Sequence, residues 1–193
     1  MTRTITRLYD NRTDALEAAH ELERMGIDDD DISIIASNKD RWYDAKKGGD
    51  KDGENDAAKG AGKGAATGGV LGAGAGLLAG LGLLAIPGIG EVVAAGWLAS
   101  TLTGAAAGAV AGGAIGGLVG ALTDAGVPEE DAHVYSEGVR RGGTLLTVRV
   151  DDDEASRVAS ALERYRPTDV RTRGQEYRSS GWTRFDPNAP PPV

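Results

Sequence analysis

The sequence predicts an α+β fold in which a small sheet domain is split by a long helical insertion. Three observations carry this. Residues 1–37 and 126–173 each alternate strand-like and helix-like patterns. The two stretches also repeat each other. A shift of 140 positions lays Asp14 on Glu154, Ala15 on Ala155, Ala19 on Ala159, and Leu22-Glu23-Arg24 on Leu162-Glu163-Arg164. Between them the charges stop: from Ala65 to Leu122 the only ionisable side chain is Glu91. Two βαβ units in tandem make a ferredoxin-like sheet with both helices on one face. The expected organisation is therefore a first βαβ half (1–37), a polar linker (38–59), a glycine-zipper helical hairpin (60–125), a helix plus the second βαβ half (126–173) and a disordered tail (174–193).

Each element has its own local reason. "TRTITRLYD" places Ile5 and Leu8 among polar neighbours, as a half-buried strand does. "NRTDALEAAHELERMG" carries Ala15, Leu16, Ala19, Leu22 and Met25 at helical spacing, with Asn11 or Thr13 as cap and Gly26 as stop. "DISIIAS" is the second strand. In "VPEEDAHVYSEGVRRGG", Pro128 suits a first turn, Glu129 and Glu130 the positive dipole end, and Arg140 and Arg141 the negative end. "GTLLTVRVD" is a strand, "DDEASRVASALERYR" a helix, and "TDVRTRG" a short last strand.

The insertion is defined by its glycines. They fall at Gly60, Gly64, Gly68, Gly72, Gly76 and Gly80, then at Gly96, Gly104, Gly108, Gly112, Gly116 and Gly120, with the small Ser100 in the missing step. A linker has no reason to keep that spacing. Steps of four place small residues along one helix flank, where another backbone can approach. Each glycine costs an exposed helix about 1 kcal/mol relative to alanine. Such helices need compensation from helix contacts, from lipid, or from both. Pro87, Gly88, Gly90 and Glu91 form the expected hairpin turn, with Glu91 in the first turn of the second helix. Residues 66–86 would span about 31 Å as a helix, close to a hydrocarbon core, and residues 92–122 are long enough to return. Lys46, Lys47, Lys59 and Lys63 precede the first helix, which fits a cytoplasmic side.

Composition removes several function classes. The net charge of −8 argues against a nucleic-acid-binding surface, and the lack of cysteine removes thiolate chemistry. Lys63 is followed by Gly64, so a phosphate loop lacks its metal-binding hydroxyl. Gly74 and Gly76 lead to Ala79 inside the apolar run, so no dinucleotide fingerprint follows a strand. His20 and His133 stand alone, Asp28–Asp31 lack the spacing of a calcium loop, and Asp151–Asp153 cap a helix. No catalytic, cofactor or metal residue is expected. Trp182 and Phe185, flanked by Arg178 and Arg184, offer a docking tail.

The opening strand and helix, "IPGIGEVVAAG", the Gly/Ala block and "GVPEEDAHVYSEGVRRGGTLLTVRV" together resemble a bacterial general stress protein family, of the heat-induced or low-temperature-induced type. The resemblance covers about residues 2–173. Glu91 departs from the proline common at that position. The resemblance implies stress induction and membrane association, and supplies no catalytic residue. The expectation is a non-enzymatic general stress protein. Its cytoplasmic ferredoxin-like domain would carry a hairpin that meets the inner membrane or other copies of the chain. Two alternatives stand beside it: a soluble ring or filament that shelters its hairpins, and a ferredoxin-like module that senses a small ligand.

Overall fold

The computed structural model describes residues 2–43, 81–108 and 117–189. Strand β1 (Thr2–Tyr9) leads into helix α1 (Arg12–Arg24), whose cap is Asn11: its side chain accepts the Thr13 N–H at 2.9 Å. A short 3-10 turn (Asp29–Asp31) opens β2 (Ile32–Ser37). Beyond the glycine block come β3 (Gly82–Ile86), β4 (Gly90–Gly96), α2 (Trp97–Gly108), α3 (Leu118–Asp124) and α4 (Glu129–Arg140). β5 (Thr144–Asp151), α5 (Asp152–Glu163) and α6 (Val170–Ser179) follow.

The five strands form one antiparallel sheet in the order β1-β5-β2-β4-β3. β1 and β2, joined through α1, thus lie on either side of β5. One face carries α1 and α5: Ala15, Leu22, Val158 and Leu162 pack on Ile5, Tyr9, Ile32, Ile34, Leu146 and Val148. The other face carries α2, α3 and α4, with Leu98, Leu102, Leu118, Leu122, Tyr135 and Val139 against Leu8, Ile35, Val92, Ala94 and Leu145. Helices on both faces explain the sequence of the inner strands. "ISIIAS" is buried at every position because neither side of β2 meets water.

The structure corrects the helical hairpin where it is described. Residues 82–86 and 90–96 are not helix but a β-hairpin, extending the sheet from β2. Ile86, Pro87, Gly88 and Ile89 form its turn, closed by the Ile89 N–H on the Ile86 carbonyl at 3.0 Å, with Gly88 at φ +79°. Proline second and left-handed glycine third are the residues a type II turn requires. Val92 and Val93 favour a strand, and glycine disfavours the helix that would compete with it. Gly96 ends β4 at φ +85° rather than lining a helix; a Cβ there would lie 2.0 Å from the Ile32 carbonyl oxygen. The expected spans at 66–86 and 92–122 are therefore not continuous helices. Among the described residues no helix is long and apolar enough to cross a membrane.

Two further expectations are corrected at the C-terminal end. "TDVRTRG" makes only an isolated bridge, Thr168 to Leu8, and then turns into α6. Asp169 decides this: its carboxylate accepts the Thr172 N–H at 2.8 Å and caps the helix. The segment from 174 to 189 is ordered rather than disordered. Tyr177 and Phe185 are buried, and Trp182 meets Tyr177 edge-on at 5.6 Å between ring centroids.

Candidate functional site

A cavity of about 500 Å³ lies where the end of β2, the β3–β4 turn, the end of α4 and the C-terminal segment meet. Asn38, Lys39 and Arg41 line it from the β2 end, Ile86 and Gly88–Glu91 from the turn, Arg140 from α4, and Ala189 from the tail. Its volume is in the range of small-molecule sites.

Each wall is fixed by local chemistry. Asn38 is buried and acts as a staple. Its N–H donates to the Glu91 carbonyl at 2.9 Å, and its Nδ2 donates to Glu91 Oε2 at 3.1 Å and to the Tyr43 carbonyl at 3.2 Å. Its Oδ1 accepts the Tyr43 N–H at 3.1 Å. Trp42 Nε1 donates to the Ser37 carbonyl at 2.8 Å, and the Arg12 guanidinium stacks 4.1 Å from the Trp42 ring centroid. The Tyr43 hydroxyl donates to the Leu81 carbonyl at 2.9 Å. These bonds tie the loop after β2 to the β3–β4 hairpin and hold exposed Lys39 and Arg41 at the rim.

The α4 wall is ionic. Glu137 is wholly buried, with Oε1 2.7 Å from Arg141 Nε and Oε2 2.6 Å from Arg140 Nη2. The Arg140 contact is an ion pair by distance, outside hydrogen-bonding geometry at Oε2, and Arg140 Nε has no hydrogen-bond partner. Arg140 Nη1 donates to the Asp186 carbonyl at 3.2 Å, and its guanidinium faces the Phe185 ring at 5.3 Å. Arg141 lies 4.4 Å from the Tyr177 ring centroid. The tail is thereby anchored to the end of α4. It also touches the turn directly: a Cβ on Gly88 would lie 2.3 Å from the Pro187 Cα.

The charges leave a cationic excess. Among the lining residues Lys39, Arg41 and Arg140 face Glu91, and Arg140 is paired with buried Glu137, which leaves one positive charge, in a chain of net charge −8. Such a cavity suits a small oxyanion.

The expected site residues separate into groups. Gly88, Gly90 and Glu91 come to the cavity, and Pro87 sits in the turn beside it. Gly96 ends β4, Ser100, Gly104 and Gly108 belong to α2, and Gly120 belongs to α3. Gly60, Gly64, Gly68, Gly72, Gly76, Gly80, Gly112 and Gly116 lie outside the described residues. His20 pairs with Glu23 at 3.0 Å, and His133 lies 3.8 Å from Glu129. Among the described residues no group of three His, Asp or Glu side chains could hold a metal ion. The sequence offers Trp182 and Phe185 as a docking tail but misses Arg140 and the tail's place beside it. A signal existed in the spacing of Glu137 to Arg140 and Arg141, three and four residues on, which stacks the charges on one helix face.

Fold and site together define a class: an α+β domain, sheeted at its centre and covered on both faces, with a cationic pocket and no metal cluster among the described residues. Within that class, residues 4–96 match the heat induced stress protein YflT domain, which supports a general stress protein. The match runs from β1 to the last residue of β4, so it includes Lys39, Arg41 and the turn but not Arg140 or the tail. No curated protein and no solved structure matches the chain.

Proposed function

We propose that this chain is a non-enzymatic general stress protein whose sheet domain senses a small oxyanion in the cavity at the β3–β4 turn. The carrying observation is the buried Arg140, held by Glu137 and the tail while lining a cavity rimmed by Lys39 and Arg41. The frame is read as ferredoxin-like, with β1, β5 and β2 as three of its strands and Thr168 standing where a fourth begins. Thermal-shift measurements with phosphate, pyrophosphate and citrate test this. A ligand at a hundred times its Kd stabilises by about 2.7 kcal/mol. Arg41→Ala together with Lys39→Ala should abolish the shift without lowering the unliganded Tm. If none of the three anions shifts the wild-type protein, the sensing role is wrong.

The glycine spacing supports a second reading, self-assembly or membrane association through the segment after Gly60. Gly104 and Gly108 keep the four-residue step within α2. Leucine at Gly72, Gly76, Gly108 and Gly112 should then reduce particle size or release the chain from carbonate-washed membranes. Unchanged size and partition in that variant would dismiss the role of the glycines. A large particle without detergent would favour assembly over lipid. On the membrane reading the domain faces the cytoplasm.

A further inference from the structure

β1 is an edge of the sheet, and among the described residues only Leu8 and Thr6 have partners on its outer side. The Leu8 carbonyl accepts the Thr168 N–H at 2.7 Å, and the Thr6 carbonyl accepts the Tyr135 hydroxyl at 3.2 Å. Both partners lie outside the ladder with β5, so the even-numbered residues of β1 turn their backbone groups outward. The same alternation turns Thr2 and Thr4 outward, and neither has an outer partner among the described residues. The edge is open because the chain abandons it. Pro167 has no N–H, and Asp169 starts α6 one residue after the Thr168 bridge. A groove of about 310 Å³ runs along the vacated edge, between the start of α4 and the face of α5 that carries Ala155, Ser156 and Ala159.

We propose that this edge pairs with β1 of a second copy, antiparallel about a two-fold axis at Thr4, to make one continuous sheet across two chains. No proline, glycine, lysine or bulge lies between Thr2 and Tyr9, and the charges on the edge are those of Arg3 and Arg7. Charge selects the register. A two-fold axis normal to the sheet pairs residues of equal parity. Centring on Arg3 sets Arg3 against its own copy, and centring on Ile5 sets Arg3 against Arg7. Centring on Thr4 avoids both: it sets Arg3 against Ile5 and Thr2 against Thr6. Because the Thr6 carbonyl already takes the Tyr135 hydroxyl and Arg7 Nη1, the pairing rests on the Thr4–Thr4 bonds and on the Thr6 N–H to the Thr2 carbonyl. Like charges directly opposite destabilise a strand pair, whereas β-branched pairs support it. The arginines are already neutralised within their own chain, Arg3 by Asp152 at 3.3 Å and Arg7 by Glu163 at 3.0 Å. The presented strip is thus uncharged on balance and self-complementary in one register.

Sedimentation of the full chain, with Thr4→Pro beside it, is the first measurement. Thr4→Pro removes an outward N–H and no bond to β5. The wild type should sediment as an even multiple of the chain, and the variant at half that mass with its circular dichroism retained. The second measurement does not depend on that variant folding. The chain has no cysteine, so Thr4→Cys introduces a single thiol on the two-fold axis. On oxidation it should form a disulfide-linked dimer, while Ser179→Cys, exposed on α6, should stay monomeric. A monomeric wild type, or equal cross-linking at both positions, overturns the proposal.

Discussion

Glu137→Gln tests the ionic core of the candidate site. The carboxylate is wholly buried, and the Arg140 side chain that faces it at 2.6 Å is 6% exposed. The Arg141 side chain at 2.7 Å is 35% exposed. Glutamine keeps the shape and removes the charge, which leaves Arg140 desolvated without a counter-ion. Removing one partner of a buried ion pair costs about 3–5 kcal/mol. Solvent screens Arg141, so its share is at most about 1 kcal/mol. The expected loss for Glu137→Gln is therefore about 3–5 kcal/mol, nearly all through Arg140. Urea unfolding followed by circular dichroism reads it as a lower midpoint at unchanged slope. For a chain of this length that corresponds to roughly 10 °C in Tm. Arg140→Met should also be costly alone, though less so, because Glu137 keeps the partly exposed Arg141 at 2.7 Å as its one counter-ion. The double variant should cost less than the sum of the two, by about 1–3 kcal/mol of coupling. Arg141→Met should cost about 1 kcal/mol or less. The reasoning is refuted if Glu137→Gln unfolds with the wild type, or if Arg141→Met costs more than Arg140→Met.

Three further outcomes follow from other parts of the structure. Gly88→Ala combines a left-handed backbone with a Cβ 2.3 Å from Pro187, so it should push the tail from the turn at about 1–3 kcal/mol; faster proteolysis near Trp182 reads this, and an unchanged cleavage rate would count against the tail contact. Tyr135 donates to the Thr6 carbonyl, and burial pushes its pKa up to about 12. The unfolded chain releases this proton near its ordinary value of 10, so stability holds below that pH and falls as pH rises through 12, by roughly 3 kcal/mol. Buried Tyr9 shifts in the same direction, so Tyr135→Phe should flatten only part of the alkaline loss in urea midpoints. Asn11→Ala removes the cap of α1 and should cost about 1 kcal/mol in the same assay.

The elements outside the insertion were legible because each carried local punctuation. Asn11 caps α1, Gly26 follows its end at φ +86°, and the charge order of "PEEDAHVYSEGVRR" sets the direction of α4. The repeat at 140 positions also held meaning in space, since α1 and α5 share one face of the sheet. What was not legible depended on contacts distant in sequence. Alternation predicts one buried strand face, whereas β2 has two, and its second cover comes from α2 and α4, far along the chain. Phe185 reads with Trp182 as a docking tail, and only the cavity end of α4 shows where it goes. Thr168 has strand propensity, but the cap at Asp169 is stronger and diverts the chain into α6.

The glycine block shows how one spacing can serve two structures. A four-residue step is a helix signal only while the backbone is helical. In an extended chain an even step returns to the same sheet face, so the same small residues would line one side of a strand. Between Gly82 and Gly96 the deciding information was not the step but the turn inside it. Pro87-Gly88 fixes a tight reversal, and Val92 and Val93 make the returning arm a strand that β2 can accept. That reversal is also what creates the site. A helical hairpin would carry Glu91 away from Asn38, whereas the β-hairpin holds it 3.1 Å from the Asn38 amide. The turn then meets Pro187, and the tail meets Arg140. The cavity therefore joins residues inside the stress-domain match to residues beyond it. On the proposed sensing role, an anion drawn to Arg140 would compete with Glu137 and the Asp186 carbonyl for one guanidinium.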